Sequence, residues 1–392
     1  MNDLLLNIKV QEFINNNLNS DTLEILLKKP LFSSIKNKEI VEQIDAKKRC
    51  KTKLPTWFRI PKAYYPNKLN IEQTSSEVTA NYKSQLIHGE SLIDLTGGFG
   101  VDSYYFSKQF DNVTYCEIDQ ELSEIAAYNF KQLNVSNIVT KNIDGIEYLK
   151  QNNTKYDWIY LDPSRRHQSK GKVYFLKDCL PNVPEQLETL FPFSKNILIK
   201  TSPLLDISVG ISELKHVKSI HIVAVNNEVK ELLWVLEKDY EDEISISTIN
   251  INKGNNEVFS FKLNDEAISN VHYGVPLTYL YEPNAAILKS GAFKSLSHKL
   301  TLFKIHQHSH IYTLNQLIDF PGKKFIIDKV IPYKKQYLKK ELISKANIVT
   351  RNFPETVEQI RKKLNIKEGG NLFLFFTTDI NDTYIVIICQ KV

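Results

Sequence analysis

The stretch Ser91–Gly100, "SLIDLTGGFG", decides the fold. An apolar run leads straight into three glycines within four positions, Gly97, Gly98 and Gly100, opened by Asp94 and Thr96. The amphipathic segment "VDSYYFSKQF" follows, so the local pattern predicts strand, tight turn, helix. Glycines there permit the turn and let backbone N–H groups approach a ligand at the start of the helix. The spacing fits a dinucleotide pyrophosphate poorly, because position 103, where a third spaced glycine would fall, is Ser.

Working outward, short apolar strands alternate with amphipathic segments from 91 to 237: "SLIDL", "NVTYCEI", "NIVTKNI", "YDWIYLD", "NILIK", "SIHIVAV" and "ELLWVLE". The helical patterns "VDSYYFSKQF", "ELSEIAAYNFKQL" and "DGIEYLKQ" fill the first gaps, which predicts a parallel sheet covered on both faces. Only "NNEVK" separates the last two strands, too short for a parallel crossover, so they are expected to form a hairpin. Residues 241–270 alternate like a second hairpin around "KGNN". Beyond it, "YEPNAAILKSGAF" reads as a helix and "DFPGKKFIID" as a turn into a strand. The tail from Ala346 reads strand, helix, a Gly369-Gly370 turn and two strands, an α+β module. Residues 1–50 read as helices, with Leu5, Ile8, Phe13 and Leu18 near helical spacing, and 51–70, with Pro55, Pro61 and Pro66, as extended or irregular.

A chain of 392 residues with 42% hydrophobic and 24% charged residues fits a soluble protein of two or three domains. No tract is long and apolar enough to cross a bilayer, and the N-terminus does not read as a signal peptide, so a cytoplasmic location is expected. The four cysteines form no C-x-x-C pair, which disfavours a zinc site, and no metal is expected. Basic residues cluster in 47–62, with seven cations, no acid, Trp57 and Phe58, and again in 321–366. Such segments suit a polyanion, or are simply solvated surface.

Carboxylates recur at the ends of the next strands. Glu117 closes "TYCEI", about twenty residues after the glycines, where an acid can accept both hydroxyls of a ribose. Asp144 follows the third strand, where a carboxylate can bind an adenine amino group or cap a helix. Asp162 opens "DPSRR" after the fourth.

These residues resemble the ordered motifs of class I S-adenosylmethionine-dependent methyltransferases: "DLTGGFGVD", Glu117, Asp144 and "YLDPSRR". The resemblance implies a seven-stranded, mostly parallel Rossmann-like sheet ending in an antiparallel hairpin. It also implies that Asp94 and the loop of Thr96, Gly97, Gly98, Phe99 and Gly100 hold the methionine end of the cofactor, and Asp102, just after the loop, resembles a cofactor-site acid found there in some RNA-modifying members. Glu117 and Ile118 would then meet the ribose side, and Asp144 the adenine. Ser75 and Ser76, in "EQTSSEVTA", resemble a segment packed over the cofactor, and read equally well as the start of a helix. Asp162, Pro163 and Ser164 would be the catalytic residues. Ser164 and Arg165 stand where nitrogen-directed nucleic-acid enzymes often carry Pro and an aromatic, so Arg165 and Arg166 are candidates for substrate phosphate. A pyrimidine-carbon methyltransferase would need a cysteine nucleophile; Cys179, in an expected helix, fits packing better.

The C-terminal half resembles a bacterial methyltransferase family that appends a ferredoxin-like segment and a THUMP-like domain, a module associated with RNA. The expected organisation is a helical region over 1–71, the methyltransferase domain over 72–240, hairpin and ferredoxin-like segment over 241–322, and THUMP-like domain over 323–392. RNA is the implied partner and a base nitrogen the implied acceptor. A protein or small-molecule methyltransferase, and an RNA-binding protein with a vestigial cofactor site, are the alternatives.

Overall fold

Strand β1 (Gly89–Asp94) lies at the centre of a parallel sheet, between β2 (Phe110–Cys116) and β4 (Trp158–Leu161). β3 (Ile138–Lys141) pairs with β2, and β5 (Asn196–Thr201) with β4, all in parallel. Ile93, Ile159, Leu161 and Ile197–Ile199 are fully buried, as near-continuous apolar strands require when helices cover both faces.

The computed structural model describes residues 1–165 and 175–392. They form two compact units, Met1–Val217 with Leu233–Glu241, and Lys218–Leu232 with Asp242–Val392. β6 (Val217–Val225) and β7 (Glu228–Glu237) are joined by Asn226 and Asn227, both left-handed (φ 51 and 63), the geometry of a tight two-residue hairpin. The strand order is β3-β2-β1-β4-β5-β7-β6, a mostly parallel sheet with an antiparallel final hairpin. The expected count of seven is exceeded. The second hairpin, β8 (Ser245–Ile251) and β9 (Asn256–Lys262), extends the sheet to nine strands because the whole of β8 pairs in parallel with Ser219–Val225 of β6.

In the first unit the N-terminal region is helical, but its register differs from expectation. Leu5, Val10 and Ile14 are buried while Ile8 is 63% exposed. Helix Asn37–Lys53 runs past the expected helical stretch by three residues, and 51–70, expected to be extended or irregular, also holds helix Pro55–Arg59 and the start of helix Lys68–Gln73. Pro55 occupies the first helical turn, where its missing N–H costs nothing. Trp57, placed among basic residues by sequence, is fully buried against Phe99 and Tyr104, with ring centroids 6.0 and 5.0 Å away. Base stacking by Trp57 is therefore ruled out.

In the second unit, Tyr279–Pro283 is a strand rather than part of the expected helix, and helices Ala285–Ser290 and Phe293–Lys299 follow. The tail matches expectation: strand Asn347–Arg351, helix Val357–Leu364, strands Leu372–Thr378 and Tyr384–Lys391. Alternation there feeds two cores. Leu374, Phe376, Val386 and Ile388 pack with Ile348 and Ile360, while Phe375, Ile385, Ile387 and Cys389 pack with Leu280 and Phe325.

Candidate functional site

Asp94, the last residue of β1, is 1% exposed and clamps the glycine loop at both ends. It accepts hydrogen bonds from Thr96 N–H at 3.0 Å and from the Ser103 hydroxyl at 2.5 Å. Burial pushes its carboxyl up to about 7, against those two bonds and with the negative charges of Asp102 and Asp162 adding to the rise.

The glycines answer to close packing. A Cβ on Gly97 would stand 2.2 Å from the Tyr115 ring, whose hydroxyl donates to Gly98 O. Gly98 and Gly100 are left-handed (φ 56 and 82), and a Cβ on Gly100 would meet Phe130 at 2.5 Å. Gly98 N–H donates to Glu117 Oε2 at 2.8 Å, and Asp119 N–H to Glu117 Oε1 at 2.8 Å, so Glu117 is fixed beside the loop. Ile118 next to it is 73% exposed. Asn142 ties down the end of β2 through the Glu117 and Ile118 carbonyls. Asp144 is exposed and caps helix Gly145–Asn152, with both bonds, from Ile146 and Glu147 N–H, on Oδ1. Along the carboxyl edge of β2 and β3 the chain thus presents a carboxylate, an exposed apolar side chain and a second carboxylate. Two acceptors flanking an apolar side chain suit the hydroxyls of a ribose and the amino group and ring of an adenine.

Three expected contacts take other places. Phe99 is 2% exposed and turned into the core against Trp57, so its side chain is unavailable to a ligand. Ser76 caps helix Glu77–Gln85 by accepting from Thr79 N–H, in line with its helix-start reading. Ser75 donates to Asp102 at 2.9 Å. Asp102 also receives Tyr160 Oη–H at 2.8 Å and the Lys83 ammonium at 2.9 Å. Burial disfavours the Asp102 anion, but the charges of Lys83 and Lys200, with the Lys83 and Tyr160 bonds, hold its carboxyl below the usual range. Lys83, fully buried, also reaches Ser75 Oγ at 3.0 Å. Sequence missed it, because a lysine in "EVTANYKSQ" looks like surface; only its place between Ala80 and Ser84 on the buried face distinguishes it.

The fourth-strand motif is tied to the glycine loop. Asp162 N–H donates to Thr96 Oγ1 at 2.7 Å. Its carboxylate Oδ2 accepts from the Lys200 ammonium, a residue of β5 that sequence did not single out. A lysine at the end of the buried run "NILIK" was the available signal. Pro163 is buried and Ser164 exposed. The backbone of Ser164 and Arg165 pairs antiparallel with Leu180 and Cys179, so buried Cys179 lies in an extended segment, not in the expected helix. Arg166 lies outside the described residues. Among the described residues no group of three His, Cys, Asp or Glu side chains is placed to hold a metal, and no helix is long and apolar enough to cross a membrane.

Residues 279–321 match a ferredoxin-like domain model and residues 322–391 a THUMP domain-like model. A solved structure described as a methyltransferase from Porphyromonas gingivalis W83 is 30% identical, covering 99% of this chain and 98% of that one, with a TM-score of 0.89. An uncharacterized RNA methyltransferase of Mycoplasma mobile is 33% identical over 97 residues, 24% of this chain. That match spans 27% of the relative's length.

Proposed function

The chain belongs to the family of the Porphyromonas gingivalis methyltransferase, and from that premise we propose that it transfers a methyl group from S-adenosylmethionine to a base nitrogen of RNA. The observation that carries the proposal is the Thr96–Asp162 bond, which joins the loop beside the candidate cofactor edge to the candidate catalytic carboxylate. Glu117, Ile118 and Asp144 would hold the nucleoside, and the loop from Asp94 to Gly100 the amino-acid end.

Bound there, S-adenosylmethionine would supply a methyl carbon already activated by its sulfonium. The task left to the protein is alignment, which can contribute several orders of magnitude. Asp162 Oδ1 would accept an N–H of the acceptor amine, turning the nitrogen lone pair toward the methyl group. The same carboxylate would take the proton that the nitrogen gives up in exchange for the methyl group, the thioether left by the sulfonium being the leaving group.

RNA as the acceptor draws on the Mycoplasma relative, the THUMP-like segment and the charge pattern. Of the seven cations in 47–62, three serve the fold. Lys47 is buried over Phe58, Lys53 donates to the Ile71 and Glu72 carbonyls, and Arg49 pairs with Glu72. Lys48, Lys51, Arg59 and Lys62 are exposed on helices Asn37–Lys53 and Pro55–Arg59 and just beyond. Such side chains suit phosphates. An RNA substrate goes with the cytoplasmic location expected from sequence.

The test pairs calorimetry with methyl transfer. Wild type and Asp162→Ala should bind S-adenosylmethionine alike, and only wild type should label RNA isolated from the source organism with the gene deleted. An active Asp162→Ala, or label that goes to protein rather than RNA, contradicts the proposal.

A further inference from the structure

Asp162 is held at two points, Thr96 on its backbone N–H and Lys200 on Oδ2, while Oδ1 has no hydrogen-bond partner among the described residues. We propose that Lys200 is a positioning residue for the transfer: its ammonium, bonded to Oδ2, holds the Asp162 carboxylate in one orientation, with Oδ1 presented to the acceptor nitrogen. This rests on the nitrogen-directed reading above.

Lys200 lies in a strand where cations are out of place. Ile197, Leu198, Ile199 and Thr201 are fully buried, and Thr201 is fixed by the Trp234 indole N–H at 3.0 Å. The Lys200 side chain is 13% exposed and that of Asp162 29%. Burying an ammonium to this degree is costly without a counter-ion, so the pair is a built feature rather than a surface contact.

The groups facing the pair explain why a cation is needed. Asp102 feels the Lys200 charge, and Asp94 feels both Asp102 and Asp162. Three carboxyls therefore share the floor with two ammoniums, Lys83 and Lys200, and with the Tyr160 hydroxyl. Lys83 is engaged by Asp102. Without Lys200, Asp162 would face two neighbouring acids with no other cation bonded to it among the described residues. Lys200 also fixes which oxygen is free. A carboxylate loose at one end would sample several rotamers, and misplacing a reacting group by about 1 Å can cost about a hundredfold in rate.

Two variants and two readouts test this. The carbon-13 resonance of the Asp162 carboxyl, identified by its loss in Asp162→Asn, is read in the full-length protein. Lys200→Met should displace and broaden it, because a carboxylate freed at one end samples several rotamers, and Lys200→Arg should leave it near wild type. In the RNA transfer assay, Lys200→Met should lower kcat at least about tenfold. KM for S-adenosylmethionine should change less than about twofold, with Lys200→Arg restoring most of kcat. An Asp162 resonance unmoved in Lys200→Met, or a Lys200→Met enzyme with wild-type kcat, overturns the inference. A wild-type protein that methylates no RNA sinks the proposed function instead, and the resonance then judges Lys200 by itself.

Discussion

Replacing Lys83 by Met should destabilise the first unit by about 3 kcal/mol through the loss of one buried counter-ion. The lysine is 0% exposed, and its ammonium bonds Asp102 at 2.9 Å, Ser75 at 3.0 Å and Tyr160 at 3.4 Å. Methionine is apolar and near in length, so packing changes little and the loss is electrostatic. Breaking a buried ion pair from one side costs about 3–5 kcal/mol. Asp102 keeps the Ser75 and Tyr160 hydroxyls and the field of Lys200, which places the expected loss at the lower end. Asp102→Asn strands the ammonium instead and should cost at least as much. The double variant strands neither charge and should lose only about 1–2 kcal/mol, the worth of weakened hydrogen bonds. The cycle thus predicts a coupling of at least about 4 kcal/mol. Urea unfolding followed by tryptophan fluorescence is the assay, because Trp57, Trp158 and Trp234 all lie in the first unit. Losses that add to within about 0.5 kcal/mol would refute the buried pair.

Other expectations concern the loop and its carboxylates. Asp94 has a folded value near 7 against 3.8 in a free chain, so the folded state binds the extra proton between those values. Stability should therefore fall as pH rises from about 4 to about 7, by at most about 4 kcal/mol, and level off above. Asp94→Asn should flatten that slope in urea midpoints; an unchanged slope would count against a protonated Asp94. Glu117→Ala should weaken S-adenosylmethionine binding about 10–100-fold by calorimetry while costing less than about 1 kcal/mol of stability. Unchanged affinity removes Glu117 from the ribose role. Gly97→Ala drives a methyl to 2.2 Å from the Tyr115 ring, and overpacking of this kind costs about 1–3 kcal/mol. A lowered melting temperature together with weaker cofactor binding is expected; an unperturbed protein would show that Tyr115 can swing aside.

The parts legible in the sequence are those written locally. Apolar runs ending in glycine or an acid marked β1 to β4, the run "NILIK" marked β5, and the short "NNEVK" link marked the antiparallel hairpin, whose turn proves tighter still, at Asn226-Asn227. Asp94, Glu117, Asp144 and Asp162 sit at the carboxyl ends of β1 to β4 as their spacing implied. What escaped depends on partners distant in sequence. Lys83 is silent until Asp102 and Tyr160 come beside it, and Lys200 until β5 lies along β4. Trp57 misled for the same reason: its basic neighbours suggested a surface, while Phe99 and Tyr104, more than forty positions on, bury it. The second hairpin looked self-contained because alternation within β8 and β9 says nothing of the edge of β6 that β8 joins.

The central claim is methyl transfer to an RNA nitrogen. S-adenosylmethionine with a deuterated methyl group, incubated with the wild-type protein and RNA from the gene-deleted organism, tests it most directly. After digestion to nucleosides and mass spectrometry, a deuteromethyl group on a base nitrogen, absent with Asp162→Ala, is the predicted result. Label confined to protein, carried on a base carbon, or undiminished in Asp162→Ala would contradict the account.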